Sequence, residues 1–410
     1  MSTLKKVIVG ILFLAIVIGI GFAIYFVFFK PATAPATPAA NVNVNKPGGG
    51  LTPSGGGNAN LPYVPPLTGG GNLNPASPVA RGGATVSPTL VNDSTLGLVL
   101  ASDGKTVRYY DRTTGKFMTV DAKGNVIALS DQTFPEVQNV TWSADGSKVV
   151  MEFPDGSKLT YDFAAKKQAT LPSSWQNFSF SPGSDQIAAL QNSDSTASRY
   201  LVVANTDGSN VQAIEPLGGN AADVSVAWSP GGGVVALSQT GEADDTGGFG
   251  VRNVLFIGKN GENFPATEVN GLGFTPLWSP NGDYLLYSAA GTGDDFLPRL
   301  YVVTGKGDNM GSGRRAISLL TTADKCTFSD NKTVYCAVPD TMPEGAGLEP
   351  AILNGIPNSI YKVNIVSGLV TLIGRPDTDT TISALSVSAD GSTLFFTDSE
   401  TGNIKKMALK

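Results

Sequence analysis

Residues 277–288, with the sequence LWSPNGDYLLYS, place a tryptophan directly before a tight turn and a run of large apolar residues directly after it. Pro280 sets the backbone angle φ at the second position of the turn, and Asn281 before Gly282 suits its left-handed corner. The apolar run is nearly continuous, which is typical of a strand covered on both faces. The stretch therefore predicts two antiparallel strands joined by a tight turn.

The same pattern occurs six times, so the stretch is one copy of an internal repeat. The copies follow one another at intervals of 38, 48, 50, 50 and 59 residues. Four short strands in about 40–50 residues are typical of β-propeller blades, and the large side chain before each turn is then expected between neighbouring blades. The copies begin at Trp142, Phe180, Trp228, Trp278, Phe328 and Val387.

The repeat resembles those of the TolB-like and WD-repeat-like propellers, in which a W-S-P-D-G-like turn joins the first two strands of each blade. The resemblance covers about residues 96–410. Phe180 and Phe328 stand where the pattern has tryptophan, and Val387 provides no aromatic ring there at all. The resemblance implies an all-β fold of radially arranged, four-stranded sheets.

The number of blades depends on residues 96–130, which contain four strand-like runs without the repeat motif. Either these runs form a blade of their own, or the first of them supplies an outer strand to the C-terminal repeat, whose residues 382–409 offer three strands. Seven four-stranded blades are predicted, with six as the alternative. In both cases the two ends of the folded body meet and close the ring.

Residues 7–29 form an uncharged apolar stretch of 23 residues. As a helix it spans about 34 Å, enough to cross a hydrocarbon core of roughly 30 Å. One transmembrane helix is predicted; a cleaved signal peptide is the alternative, although its apolar region is normally shorter. Because Lys5 and Lys6 precede the stretch and Lys30 alone directly follows it, the N-terminal residues 1–6 are expected in the cytoplasm and the body outside the cell membrane.

Residues 30–90 separate the membrane segment from the repeats. Residues 31–90 contain 11 proline and 11 glycine residues and no acidic residue. This composition offers too little apolar surface for a core and predicts a disordered linker. The propeller domain is therefore predicted over residues 91–410.

The composition narrows the range of functions. None of the 410 residues is histidine, which excludes histidine-based catalytic triads and the commonest metal ligand. With no nucleophile or phosphate-loop motif either, no catalytic residue, metal or cofactor is predicted. Residues 91–410 contain 23 basic and 34 acidic residues, and such a negative body would repel a nucleic acid.

Acidic residues recur in the loops between the second and third strands of successive repeats. Two aspartate pairs lie one 50-residue repeat apart, so neighbouring blades are expected to present them side by side. They form either an acidic rim that binds a cation or a basic partner, or ordinary solvated loop charges. The candidate binding residues are Glu242, Asp244, Asp245, Asp294, Asp295 and Asp340.

The two cysteines, Cys326 and Cys336, lie on either side of the fifth copy of the turn. Their equal distance from Asn331 at its centre allows them to face each other across the hairpin. A disulfide bond is feasible on the oxidising side of a membrane, and two buried free thiols are the alternative.

These observations together predict a membrane-anchored, extracytoplasmic propeller that binds a protein or glycan of the cell envelope without catalysis. Two alternatives stay open. One is a carbohydrate-active enzyme that works with two carboxyl groups about 5–10 Å apart. The other is a passive spacer or surface-layer component.

Overall fold

The computed structural model describes residues 84–240, 250–262 and 264–409. These residues form seven antiparallel sheets of four strands each, so the prediction of an all-β propeller with seven blades is confirmed. The predicted membrane helix 7–29 lies outside the described residues. Within the described part, no helix combines the length and the apolar character that crossing a membrane requires.

The chain enters the fold through β1 (Thr89–Val91) and then builds the blades one after another. Blades 1 to 3 consist of β2 (Thr95–Leu100), β3 (Val107–Asp111), β4 (Lys116–Val120) and β5 (Val126–Ala128); β6 (Asn139–Trp142), β7 (Lys148–Glu152), β8 (Lys158–Asp162) and β9 (Lys167–Leu171); and β10 (Trp175–Phe180), β11 (Gln186–Gln191), β12 (Tyr200–Asn205) and β13 (Gln212–Pro216).

The later blades follow the same order. Blades 4 to 7 consist of β14 (Val224–Val226), β15 (Val234–Thr240), β16 (Val251–Gly258) and β17 (Thr267–Asn270); β18 (Leu272–Trp278), β19 (Tyr284–Ala290), β20 (Arg299–Thr304) and β21 (Arg315–Leu320); β22 (Cys326–Phe328), β23 (Thr333–Pro339), β24 (Asn358–Asn364) and β25 (Val370–Gly374); and β26 (Ile382–Val387), β27 (Thr393–Asp398) and β28 (Ile404–Ala408).

The first strand of each blade is the innermost one. This follows because β2 packs against both β6 and β26, the first strands of the two neighbouring blades. The second strand lies between neighbouring blades and is covered on both faces; in β19, residues 285–290 are all buried. The continuous apolar run after each turn is explained by this double burial.

Blade 7 is completed by the N-terminal strand. Its outermost strand is β1, in which Thr89 pairs with Lys405 and Val91 with Ile404 of β28. Ring closure between the two ends of the body is therefore confirmed, but the closing strand is residues 89–91 rather than the run that begins at residue 96. Residues 84–90, assigned above to the linker, take part in the fold.

The serine of the repeat motif is buried because it caps the turn. In blade 5 the Ser279 hydroxyl accepts a hydrogen bond of 3.0 Å from the backbone N–H of Tyr284, and Ser279 has no exposed surface. The bond satisfies a backbone donor that the tight turn would otherwise leave unpaired. The serines that accept the equivalent bond in blades 2, 3, 4 and 7 are Ser143, Ser181, Ser229 and Ser388.

Replacing this serine is expected to destabilise the fold. Ser279→Ala leaves the Tyr284 N–H without its partner and should lower the free energy of unfolding by about 1–3 kcal/mol. Ser329 of blade 6 is the matched control, since its hydroxyl donates a long bond of 3.4 Å to the Thr333 carbonyl instead; Ser329→Ala should change stability by less than about 0.5 kcal/mol. Urea unfolding measures both, and equal losses would contradict the capping role.

Two of the three tryptophans before the turns join neighbouring blades through their indole groups, whereas the indole N–H of Trp228 donates to Gly232 of its own turn. The indole N–H of Trp142 in blade 2 donates a hydrogen bond of 2.6 Å to the carbonyl of Gly97 in blade 1. The indole N–H of Trp278 in blade 5 reaches the carbonyl of Ala227 in blade 4 at 3.0 Å. Each of these two rings therefore combines apolar burial with a polar bond that fixes the contact between two blades.

Candidate functional site

The loops between the second and third strands lie on one side of the ring, opposite the motif turns, because successive strands are antiparallel. We call this side the loop face. Its longest described loop is the insertion of blade 6, residues 340–357, which joins β23 to β24. The backbone N–H of Asp340 donates to the carbonyl of Pro357 at 2.8 Å and closes the base of the insertion.

The insertion of blade 6 packs against blade 5. The backbone N–H of Gly347 donates a hydrogen bond of 2.8 Å to the carbonyl of Phe296 in the blade 5 loop. A Cβ atom at Gly347 would lie 2.0 Å from the Cβ of Ala290, so only glycine allows this close approach. Ala346 and Leu353 of the insertion are buried, and the segment is thus packed onto the ring rather than free in solvent.

A cavity of about 370 Å³ lies beneath the insertion. Three parts of the chain form its wall: the first two strands of blade 5 with the loop that follows them, the connection from blade 5 to blade 6, and the insertion itself. Its volume is within the range of small-ligand sites. The lining residues are Leu272, Gly273, Thr275, Ala289, Ala290, Pro298, Thr322, Asp324, Lys325, Gly347, Pro350, Ala351, Leu353 and Asn354.

The connection between blades 5 and 6 contains a short 3-10 helix, Ala323–Lys325, which packs against β18 of blade 5 and β26 of blade 7. It therefore lies beside the innermost strands of the ring. Lys325 is half-buried at the end of this helix, and its burial lowers the pKa of the ammonium group below its usual value. Asp324 beside it is exposed.

Two of the candidate acidic residues, Asp294 and Asp340, are bound to separate arginines. Glu242, Asp244 and Asp245 lie outside the described residues, so their placement stays a prediction. Asp294 forms an ion pair of 2.8 Å with Arg299 of the same blade and accepts a hydrogen bond from the Tyr301 hydroxyl at 3.0 Å. Its charge is therefore already balanced within blade 5.

Asp340 is also engaged within the fold. Its carboxylate forms an ion pair of 2.8 Å with Arg375 in the connection to blade 7 and accepts a hydrogen bond of 2.5 Å from the Ser359 hydroxyl. Asp295 is exposed. No cluster of three or more acidic or cysteine side chains suited to a metal ion occurs in the described part of the chain. An acidic rim on the loop face accordingly remains a hypothesis.

Cys326 and Cys336 form a disulfide bond across β22 and β23, with a Cα–Cα distance of 4.0 Å. The two residues are direct partners in the register of the strands. Because Cys326 directly follows Lys325, the bond fixes the end of the 3-10 helix to the second strand of blade 6. The disulfide therefore helps to position the segment of the cavity wall that contains Lys325.

The importance of Lys325 was not apparent from the sequence. Nothing in the segment Thr322–Cys326 distinguishes it from an ordinary connection, and Lys325 reaches the cavity only because the ring places it beside segments about 20 to 50 residues away. The insertion, residues 340–357, contains three prolines and three glycines, which is typical of a long loop. The sequence did not indicate, however, that it covers blade 5.

Solved structures similar to this one are β-propellers. The Swd1 β-propeller domain of Myceliophteria thermophila is 12% identical, covers 79% of this chain and 100% of its own, and has a TM-score of 0.54. An oligogalacturonate lyase of Vibrio parahaemolyticus is 10% identical, covers 78% and 93%, and has a TM-score of 0.54. The tricorn protease is 11% identical, covers 83% and 35%, and has a TM-score of 0.50.

At such low identity these similarities define the class of the protein, a β-propeller, and nothing narrower. No family model and no curated protein matches the chain. The propeller part of the TolB-like resemblance is thus supported, while membership of that family remains a prediction.

Proposed function

We propose that the chain is a membrane-anchored, extracytoplasmic propeller that binds a protein or glycan of the cell envelope at its loop face. The observation that carries this proposal is the cavity beneath the insertion of blade 6. A loop packed over a neighbouring blade, with a cavity left below it, is the kind of preformed concave site that binding proteins present. The predicted helix 7–29 and the linker would hold this site away from the membrane.

An enzyme based on two carboxyl groups is less well supported. Glycoside hydrolysis of that kind needs a general acid and a second carboxylate across the scissile bond. Among the described residues of the cavity wall, Asp324 is the single carboxyl group. Burial raises the pKa of Glu152, but this residue ends β7 in blade 2 and is not part of the cavity.

Site-specific photo-cross-linking tests the proposal in intact membranes. A photoreactive residue replaces Leu348 on the insertion, which is 47% exposed, and in a second variant Val211 in the outer turn of blade 3, which is 52% exposed. Val211 lies on the opposite side of the ring and is the matched control. We expect a discrete adduct with a second molecule from position 348 and none from position 211.

Equal cross-linking from both positions would indicate contact without a defined face and would argue against the proposal. An adduct made only of two copies of this chain would favour the spacer or surface-layer alternative.

A further inference from the structure

Lys325 is a partly buried cation whose ammonium group makes no direct ion pair within the described residues. No hydrogen bond or ion pair joins its ammonium group to any residue that the structure describes, and Asp324, the neighbouring acid, makes no ion pair with it. Asp324 attracts the ammonium group without touching it, and burial outweighs this attraction. A charge that has lost part of its water and gained no direct partner is unfavourable. An anionic group entering the cavity would supply the missing partner.

Two further polar side chains of the wall, the half-buried Thr322 and the exposed Asn354, are open to a ligand. The Thr322 hydroxyl and the Asn354 amide make no hydrogen bond to another described residue, and both line the cavity with Lys325. All three can donate hydrogen bonds, and a carboxylate accepts up to about four. A single cation matches the single charge of a carboxylate better than the higher charge of a phosphate group.

Apart from Asp324 and Thr275, the rest of the wall is apolar, and it carries no aromatic ring. A uronic acid would bring several hydroxyl groups into this space, and each would need a hydrogen-bond partner to replace water. A polypeptide end brings one carboxylate and one side chain, which suits a few donors beside an apolar surface. The apolar wall residues are Leu272, Ala289, Ala290, Pro298, Pro350, Ala351 and Leu353.

We infer that the cavity binds the carboxyl terminus of a partner polypeptide, with Lys325 holding the carboxylate and the apolar wall holding the last side chain. This inference rests on the proposed function and names the ligand of the same site. This one occupant gives the ammonium group a direct partner, offers acceptors to Thr322 and Asn354, and covers the apolar part of the wall. Asp324 also lines the cavity, but it is exposed, so water and salt screen its repulsion of a carboxylate.

The test compares a labelled peptide, acyl-Gly-Ala-Leu, as the free acid and as the carboxamide, by fluorescence anisotropy with the full chain in detergent. The acid is expected to bind roughly 10- to 100-fold more tightly, the value of a hydrogen bond to a charged group. Lys325→Met should reduce the affinity for the acid to that for the amide, whereas Lys325→Arg should keep the preference. Equal binding of acid and amide to the unaltered chain would overturn the inference.

Three controls make the result specific. Lys325→Met should unfold at the same temperature as the unaltered chain or slightly above it, since the change removes a partly buried charge that makes no hydrogen bond. Ala351→Trp, which fills the cavity from its exposed rim, should weaken acid and amide alike. Competition by glucuronate that is stronger than competition by N-acetylleucine would overturn the choice of a peptide ligand.

The two proposals fail in different ways. If the peptide acid is not preferred while position 348 still cross-links a second molecule, the ligand assignment is wrong and the docking role stands. If the acid is preferred but position 348 yields no adduct in membranes, the cavity binds carboxylates and the docking role is wrong.

Discussion

Replacing the closing strand β1 by Gly-Ser-Gly is expected to lower the free energy of unfolding by about 3–5 kcal/mol, through the loss of a buried side chain and the cost of glycine in a strand. Val91 is 3% exposed and packs with Val107, Tyr109 and Ile404 between the two ends of the ring. Without β1, the edge of β28 loses its partner. Urea unfolding followed by tryptophan fluorescence measures the change.

The matched control is the same replacement in β5, the outer strand of blade 1. Residues Val126, Ile127 and Ala128 are all exposed, and β5 joins no chain ends. The control should lose only about 1–2 kcal/mol, the backbone cost of glycine. If both replacements destabilise the chain equally, β1 contributes no more than any other edge strand and ring closure is not what stabilises the fold.

Gly271→Ala is the second change with a large expected effect. Gly271 is the single residue between β17 and β18, with φ at +85°, and an added Cβ atom would lie 1.9 Å from the carbonyl oxygen of Ala290. The left-handed backbone costs alanine roughly 1–2 kcal/mol. The clash with backbone should add about 1–3 kcal/mol more, because the inner strand of blade 5 must shift.

Gly156 separates the two contributions. It has a similar φ of +82° in a hairpin turn of blade 2, and no atom lies within 4 Å of an added Cβ. Gly156→Ala should therefore lose only the backbone part, roughly 1–2 kcal/mol. Thermal unfolding of the two variants under the same conditions gives the difference in their stability. Similar losses of stability would show that the structure around residue 271 accommodates the added methyl group without an energetic penalty.

The blades could be predicted because their signals are local. A tight turn of fixed chemistry followed by a doubly buried strand is contained in about ten residues, and six copies made the pattern specific. The first blade carries the same turn as Ala101-Ser102-Asp103-Gly104, in which the Gly104 N–H donates to the Ala101 carbonyl at 2.9 Å. Alanine in place of the buried serine hid this copy from the motif.

The closing strand could not be recognised for a different reason. Three residues are too few to display a periodicity, and Thr89–Val91 follows a segment rich in proline and glycine. Only its pairing with β28, about 300 residues away in the chain, makes it a strand.

The candidate site was predicted less well than the fold. The ion pair between Asp294 and Arg299 spans five residues and was accessible from the sequence, but the pair between Asp340 and Arg375 depends on how blade 6 meets blade 7. The cavity depends on three separated segments. Long-range packing of this kind leaves no periodic pattern in the residues that take part.

The pairing of the first strand with the last also sets the order of events during synthesis. A ribosome adds about 5–20 residues per second, so β1 emerges roughly 15–60 seconds before β28 is available to pair with it. During that interval β1 has no partner strand. Its unpaired edge is then open to pairing with another chain. Closure of the ring must therefore wait for β28, and a chain interrupted before that strand would leave β1 without its partner.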